Sequence, residues 1–546
     1  MKKNLFDIKK SNFLEGSFIA TLSIIVTKIM GMLYVIPFYA MVGVKGSALY
    51  AYAYNVYIIF LDISSAGIPI SMSKLIKQYH TLGLHEAKIR AYKIAQKLTK
   101  SISIIMFLLT FFFAKYIALL ILGNLKGGNT IEEVALVIRF IALAILVIPR
   151  LSIMKGYLQG LSIINISSYS QVIEQAVRIS IILLGSYLCI YIFHLRLDLA
   201  VGFCVLGAFV GGICSILYIQ AKMRKKKEEL FPKLKQKDNV SNKEIMHKLI
   251  TYAIPFILID MATSIYNFID MVLLSRTMTH LGYSGAQTEF ITSSVATWSS
   301  KIGMVITSIA MGIIVSLIPS IVEACTLKKW DLVEDRINKS IQLVLIICIP
   351  MIIGISLLSR PIWNIFYGTE YLDLGAMVLK FSIFSTLPIN LYMISTSSLQ
   401  SMSKVRGVYK STFLGYMTNL ILDIPFMFFF HAISLPPFLG ALLSSILGYS
   451  LSFFSSLYTL KKQYDLKYKE SLFVFVKVIC STLIMAGLIL LIKDRIIYDE
   501  TNKISTILYV FLLSLIGLGS YLLCLVKVRI LQPRRKKLTL KKVSPL

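Results

Sequence analysis

The residues best able to do chemistry in this 546-residue chain are charges set inside long apolar runs. A charge near the centre of a bilayer costs at least about 2.5 to 3.5 kcal/mol on insertion scales, so such a side chain faces a cavity, a partner charge or the membrane surface. Eight bases qualify by position, Lys28, Lys115, Arg139, Arg178, Arg276, Lys301, Lys380 and Lys477, against five acids, Asp62, Glu174, Asp260, Asp270 and Asp423. The excess of base favours an anion wherever these side chains converge. Lys28 stands about eleven residues into its run, roughly 17 Å along a helix that rises 1.5 Å per residue. Snorkelling to water reaches poorly from that depth, so Lys28 reads as cavity-facing, with an ion pair to Asp62 as the alternative. Lys301 follows Trp298 closely, and there a cavity role competes with an interfacial anchor. Lys28, Lys301, Arg276 and Asp62 form the candidate binding set.

A second set is suited to ion coupling or to structural pairing. Glu174 and Arg178 are one helical turn apart and can pair with each other. Asn267 and Asp270, three residues apart on one helix face, suit an ion site or an interhelical hydrogen-bond network. Arg139, Lys115, Lys380 and Lys477 lie nearer the ends of their runs and read as interface anchors. A membrane-buried carboxylate that loads and releases an ion would serve a cation-coupled exporter of small molecules, with Asp270 or Asp62 as its coupling site. Hydrolytic chemistry finds little support. The six histidines lie in loops or at helix ends, and neither an HExxH spacing nor a phosphate-binding glycine loop occurs. Seven cysteines are scattered singly and read as small core hydrophobes. The expectation is a protein that is not an enzyme and holds no metal or cofactor, and whose transport work draws on gradients or partners.

The elements that must position these residues follow from composition. With 56% hydrophobic and 15% charged residues and a mean hydropathy of +0.75, the chain cannot be a water-soluble domain. Apolar runs of spanning length occur near 17–42, 48–73, 98–122, 131–149, 171–193 and 199–221. They continue near 250–278, 291–322, 340–359, 376–400, 408–430 and 437–460, then 471–492 and 504–527. The fold class expected is all-α integral membrane, with fourteen spans arranged as six, six and two. The first run is too long for the apolar core of a signal peptide. Alternate loops, with both termini, hold 42 Lys and Arg and the opposite loops hold seven, so both termini are expected in the cytoplasm of a multi-pass cell-membrane protein. This distribution accounts for the net charge of +30 without a nucleic acid partner.

The longest basic loop contains Lys225-Lys226-Lys227 and falls midway through the first twelve spans. It reads as a lipid-hugging linker, since juxtamembrane bases gain about 1 kcal/mol each near anionic lipid. The expected division is a lobe over 1–221, a linker over 222–248, a second lobe over 249–460, two further helices in 461–527 and a basic tail over 528–546. An internal repeat supports two pseudo-symmetric lobes. Ile148-Pro149-Arg150 leading to Leu158-Gln159-Gly160 echoes Leu387-Pro388 leading to Leu399-Gln400-Ser401, and Gly67-Ile68-Pro69 echoes Leu317-Ile318-Pro319. Pro69, Pro149, Pro319, Pro388 and Pro425 mark candidate hinges, and Gly207 with Gly211 suggests close helix packing.

Several segments resemble a known family. They are Thr27-Lys28-Ile29-Met30-Gly31-Met32, Ile36-Pro37-Phe38, Leu49-Tyr50, Ala66-Gly67-Ile68-Pro69, the stretch from Ser170 to Ile179, Tyr266-Asn267-Phe268-Ile269-Asp270 and Leu317-Ile318-Pro319-Ser320. Together they resemble the polysaccharide-transporter branch of the multidrug/oligosaccharidyl-lipid/polysaccharide exporter superfamily, and within it the MurJ-like lipid II flippases and the related stage V sporulation protein B group. The resemblance implies a two-lobed flippase that moves an undecaprenyl-diphosphate-linked cell-wall precursor outward by alternating access. It also implies that basic residues of the first and eighth helices, here Lys28 and Lys301, meet the headgroup. Related flippases commonly carry Arg at these positions, and some carry an Arg-Asp pair where this chain has Tyr34 and Val35. Lysine supplies a point charge without the bidentate fork. Membrane lipids and, as a candidate, the cell-wall synthesis machinery are the partners implied, with the protein itself expected to be a monomer.

Overall fold

In hydrocarbon each backbone N–H and C=O must find its partner inside its own segment, which makes runs this apolar helical. The computed structural model describes residues 13–65, 67–231, 238–402 and 404–527, and among the described residues there are helices and no strand. In chain order the helices are α1 Phe13–Leu33, α2 Val35–Ser65, α3 Ile68–Thr81, α4 His85–Phe112, α5 Ala114–Leu122, α6 Ile131–Gly160 and α7 Ile164–Tyr187. There follow α8 Leu197–Val205, α9 Gly207–Lys225, α10 Lys227–Leu230, α11 Asn242–His280, α12 Gly285–Ser293, α13 Ser299–Thr326 and α14 Trp330–Leu357. The last are α15 Ser359–Tyr367, α16 Leu372–Ser382, α17 Thr386–Ser401, α18 Val405–Ala432, α19 Phe438–Tyr464, α20 Lys469–Lys493 and α21 Lys503–Lys527. A π turn over Ser294–Trp298 joins α12 to α13, and a short 3-10 turn over Ile383–Ser385 joins α16 to α17.

Twelve helical stretches among the described residues are long and apolar enough to cross a membrane, against the fourteen expected. The first expected run is divided at Tyr34 between α1, an apolar helix of 21 residues, and α2. α11, a helix of 39 residues, covers the run expected near 250–278. Inside α2 the chain turns at Gly43, whose φ of 64° is one that a β-carbon disfavours. Gly67, at φ 67°, ends the next segment and Pro69 opens α3 in its first turn, as suits a residue without an N–H. Pro388 likewise stands in the first turn of α17, whereas Pro149 and Pro425 lie in continuous helices.

Packing brings α6 against α2, α3, α4 and α9, and α19 against α17 and α18. α11 reaches across, touching α2, α3 and α4 on one side and α18 on the other. The segments Ile131–Gly160 and Leu372–Ser401 have equal length and similar proline placement, in keeping with the repeat. The α20–α21 pair is pinned at the end of the bundle that carries Lys45, Lys126 and Arg196. Arg360 there bonds Asp373 and, with Nε, donates to Glu500 at 2.7 Å. The paired guanidinium holds the Glu500 carboxyl below its usual range.

Gly207 and Gly211 let α9 approach α7 closely. A β-carbon on Gly211 would lie 2.6 Å from the Glu174 carbonyl oxygen, and one on Gly207 would lie 2.7 Å from that of Arg178. Gly211→Ala should therefore lower the thermal unfolding temperature in detergent, by an overpacking cost of about 1 to 3 kcal/mol. Gly185→Ala, facing open space on α7, should not. The Glu500 pairing should also show in its pH response. A lowered carboxyl pKa contributes stability that is complete above the ordinary glutamate value of about 4.3 and is lost as pH falls below it. Hydrogen exchange in residues 494–502, corrected for intrinsic rates, should accelerate in that acid window, and Glu500→Gln should remove the pH dependence.

Candidate functional site

Lys28 extends from α1 where that helix packs against α7 and α13. Gly31, one turn further on, makes the close approach. A β-carbon there would stand 3.2 Å from Gln175 Nε2 of α7 and 3.8 Å from the Met304 methyl of α13. Lys28 and Lys301, one from each half of the sequence, are both half-buried and lie within electrostatic range of each other. Among the described residues neither forms a hydrogen bond or an ion pair. The Lys301 ammonium instead lies over the Tyr54 ring at 4.8 Å and the Tyr34 ring at 5.8 Å. Such cation–π contacts are worth about 0.5 to 2 kcal/mol, enough to hold a flexible stem without neutralising its charge.

The alternatives raised by the sequence resolve at these residues. Asp62 does not pair with Lys28; its Oδ2 accepts from Ser264 Oγ of α11 at 2.5 Å. Trp298 is no interfacial anchor, since it is fully buried among Phe38, Tyr39, Tyr50 and Tyr367, and its carbonyl accepts from the Tyr367 hydroxyl at 2.6 Å. Arg276 belongs elsewhere. Exposed on α11, it donates from Nε to the Leu120 carbonyl at 2.7 Å and from Nη2 to that of Leu119 at 3.2 Å, binding the carbonyls of the last turn of α5. Of the expected interface anchors, Lys115 is exposed and bonds Glu132 at 3.2 Å, while Arg139, Lys380 and Lys477 lie over phenylalanine rings. The Asp260 side chain lies outside the described residues.

Glu174 and Arg178 pair at 3.0 Å as the spacing suggested, but Glu174 also accepts from Lys155 Nζ at 2.9 Å. All three side chains are less than a fifth exposed, and together they carry one net positive charge. Arg178 faces the same tyrosines as the lysines, within electrostatic range of Tyr54 and Tyr57. Sequence reading placed Lys155 among the loop charges, because α6 continues past the expected span end.

A separate polar cluster surrounds Asp270. Its oxygens accept from Asn419 Nδ2 at 3.0 Å and Ser445 Oγ at 2.7 Å, not from Asn267, which is half-buried and makes no hydrogen bond with a described residue. Asp423, fully buried on α18, accepts from Ser444 Oγ at 2.9 Å with Oδ1, while its Oδ2 and the Asn419 Oδ1 have no partner among the described residues. Two buried carboxyl groups linked through Asn419 and Ser444 can both be ionised only with a cation beside them, and otherwise one holds a proton. Asn419 and Ser445 had no sequence signal beyond being polar in apolar runs. No group of three or more His, Cys, Asp or Glu among the described residues is arranged to hold a metal.

Contacts between the halves close the bundle end that carries Lys45. Buried Glu289 of α12 accepts from the Asn129 backbone N–H at 2.7 Å and from its Nδ2 at 2.9 Å, and Asn129 also donates to the Lys45 carbonyl. Asn55 of α2 donates to Thr297 Oγ1 at 2.8 Å. An apolar groove of about 750 Å³ lies away from the lysines, with Phe381, Phe384, Phe430, Phe454 and Phe475 on its walls.

Comparison with known proteins places this geometry. The family model described as polysaccharide biosynthesis protein matches residues 13–325, and the MatE model matches 255–424. The lipid II flippase MurJ of Bacillus subtilis (strain 168) is 31% identical over 465 residues, 84% of each chain. Stage V sporulation protein B of the same organism is 22% identical over 362 residues, 66% of this chain and 68% of that one. A solved lipid II flippase MurJ in an inward closed conformation superposes with a TM-score of 0.66 at 16% identity, covering 94% of this chain and 99% of the other. An inward-facing MATE family multidrug transporter of the MOP superfamily gives 0.61 at 14% identity, over 82% and 99%. At these identities the likeness to solved structures shows the fold.

The Lys155–Glu174–Arg178 triad predicts a specific stability pattern. Glu174→Gln leaves two cations buried without their shared acceptor and should destabilise the protein by about 3 kcal/mol or more. Adding Lys155→Met should recover part of that loss, as measured by thermal unfolding in detergent.

Proposed function

The chain belongs to the polysaccharide biosynthesis protein family, and from that premise we propose that it is a flippase for a lipid-linked glycan diphosphate, of the lipid II type, moving it from the inner to the outer leaflet. The chain is a multi-pass membrane transporter and not an enzyme. The observation that carries the substrate reading is the meeting of Lys28 and Lys301, two cations without a carboxylate partner among the described residues, from helices in opposite halves of the chain. A diphosphate supplies the charge that these ammonium groups lack, and its removal from water is offset only where cations already wait. The 31% identity to the Bacillus subtilis lipid II flippase supports the same substrate class.

In this reading residues 1–221 and 249–460 are two lobes that rock about the lysines, with 461–527 as an added helix pair and both termini in the cytoplasm. The Glu289–Asn129 bonds and the buried Trp298 cluster then form the closed outer gate, which must part to release the headgroup. With a negative cell interior, a headgroup carrying two charges gains about 4.6 kcal/mol per 100 mV on moving outward if both cross unneutralised. A lysine that moved with them would cancel its share.

A second reading, cation-coupled export of small molecules, draws on the Asp270–Asp423 cluster and on the MatE match. The two are compatible if that cluster loads the coupling ion while the lysines hold the cargo. Substitution separates them. In a bacterium made dependent on this protein for precursor delivery, Lys28→Ala and Lys301→Ala should each trap the lipid-linked precursor in the inner leaflet, measured with a probe confined to the outer face. Asp270→Asn should slow delivery if the cluster couples transport. Normal outer-leaflet delivery by a Lys28→Ala, Lys301→Ala double variant would contradict the flippase reading, whereas loss of drug resistance in Asp270→Asn alone would favour the exporter.

A further inference from the structure

Lys301 has to be held in place by something other than a carboxylate, and the tyrosine face of α2 does this. Tyr50, Tyr54 and Tyr57 recur at helical spacing. The Tyr54 ring stacks on Tyr50 at 5.6 Å with an interplanar angle of 14°, and Tyr50 stacks on the buried Trp298 at 6.0 Å and 27°. This stack fixes the ring plane from behind. Tyr34 and Tyr50 spend their hydroxyls on each other at 3.1 Å, whereas the half-buried Tyr54 makes no hydrogen bond with a described residue. Lys28, Lys301, Arg178 and Asp62 all lie within electrostatic range of the Tyr54 hydroxyl, which puts this side chain among the charges.

We propose that Tyr54 is a positioning residue for anion capture: its stacked ring seats the Lys301 ammonium toward the diphosphate of a lipid-linked substrate, and its hydroxyl is a spare donor to the same anion. The assignment rests on the flippase reading above. A carboxylate in this position would also hold Lys301, but it would compete with the incoming phosphate for the ammonium. A ring face attracts the cation through its quadrupole, carries no formal charge and yields the ammonium to a phosphate without leaving a buried anion behind. The stack on Tyr50 and Trp298 reduces the freedom that the long lysine stem would otherwise lose on binding.

The test is a double-mutant cycle on the full-length protein in nanodiscs, with undecaprenyl diphosphate as the probe and affinity as the readout. Lys301→Gln should weaken binding about tenfold, and Tyr54→Leu should weaken it by a comparable factor. In the Lys301→Gln background Tyr54→Leu should cost no more than the lost donor, within about threefold, and Tyr54→Phe in the native background should likewise stay within about threefold of the parent, because it keeps the ring and loses only that donor. A merely structural role would lower affinity equally in both backgrounds, which overturns the assignment. So would a full effect of Lys301→Gln with none of Tyr54→Leu. No change in either Lys28→Gln or Lys301→Gln overturns the anion-capture reading itself, and the role of Tyr54 with it.

Discussion

Two ammonium groups with no carboxylate among the described residues to neutralise them, brought together from helices far apart in the sequence, set the constraint on which the rest of the structure depends. Lys28 and Lys301 repel each other, and α1 holds its charge where it packs against α7 and α13. Such a placement is tolerable only with water or an anion beside it. Gly31 permits the close crossing of α1, the tyrosine face of α2 holds the Lys301 stem, and the Lys155–Glu174–Arg178 triad adds positive potential from the neighbouring helices. The aromatic cluster around Trp298 packs between the two halves on the side towards the Lys45 end.

The charges divide into two chemically distinct regions. Around Lys28 the balance is basic and the neighbours are aromatic. Around Asp270 it is acidic, and the neighbours are the amide of Asn419 and the hydroxyls of Ser444 and Ser445. An anion is favoured in the first and a cation or proton in the second. α11 contacts both halves of the chain and carries Asp270 together with Ser264, the donor to Asp62. A shift of α11 against α2 would therefore be felt in both regions.

Much of this arrangement was legible in the sequence because a charge in an apolar run is expensive wherever the run is placed. Lys28, Lys301, Glu174, Arg178 and Asp270 stand out on that ground, and the Glu174–Arg178 pair follows from spacing alone. What the sequence left hidden depends on partners distant along the chain. Arg276 looked like a cavity charge until the end of α5 supplied its acceptors. Lys155 looked like a loop charge because the continuation of α6 beyond Pro149 could not be foreseen. Asn267 shares a turn with Asp270, yet Asn419 and Ser445 on α18 and α19 make the bonds. The boundaries of the first runs also escaped the sequence, because the breaks at Tyr34 and at the Gly43 turn lie inside apolar stretches that a hydropathy count does not divide.

The account stands on Lys28 meeting water from both sides of the membrane in the course of a cycle. The most direct measurement places a single cysteine at position 28 in a variant stripped of its seven native cysteines, with an impermeant charged thiol reagent applied to right-side-out and inside-out vesicles. The account predicts reaction from each face, with protection by a lipid diphosphate. A position 28 that reacts from neither face, with or without that lipid, would contradict it.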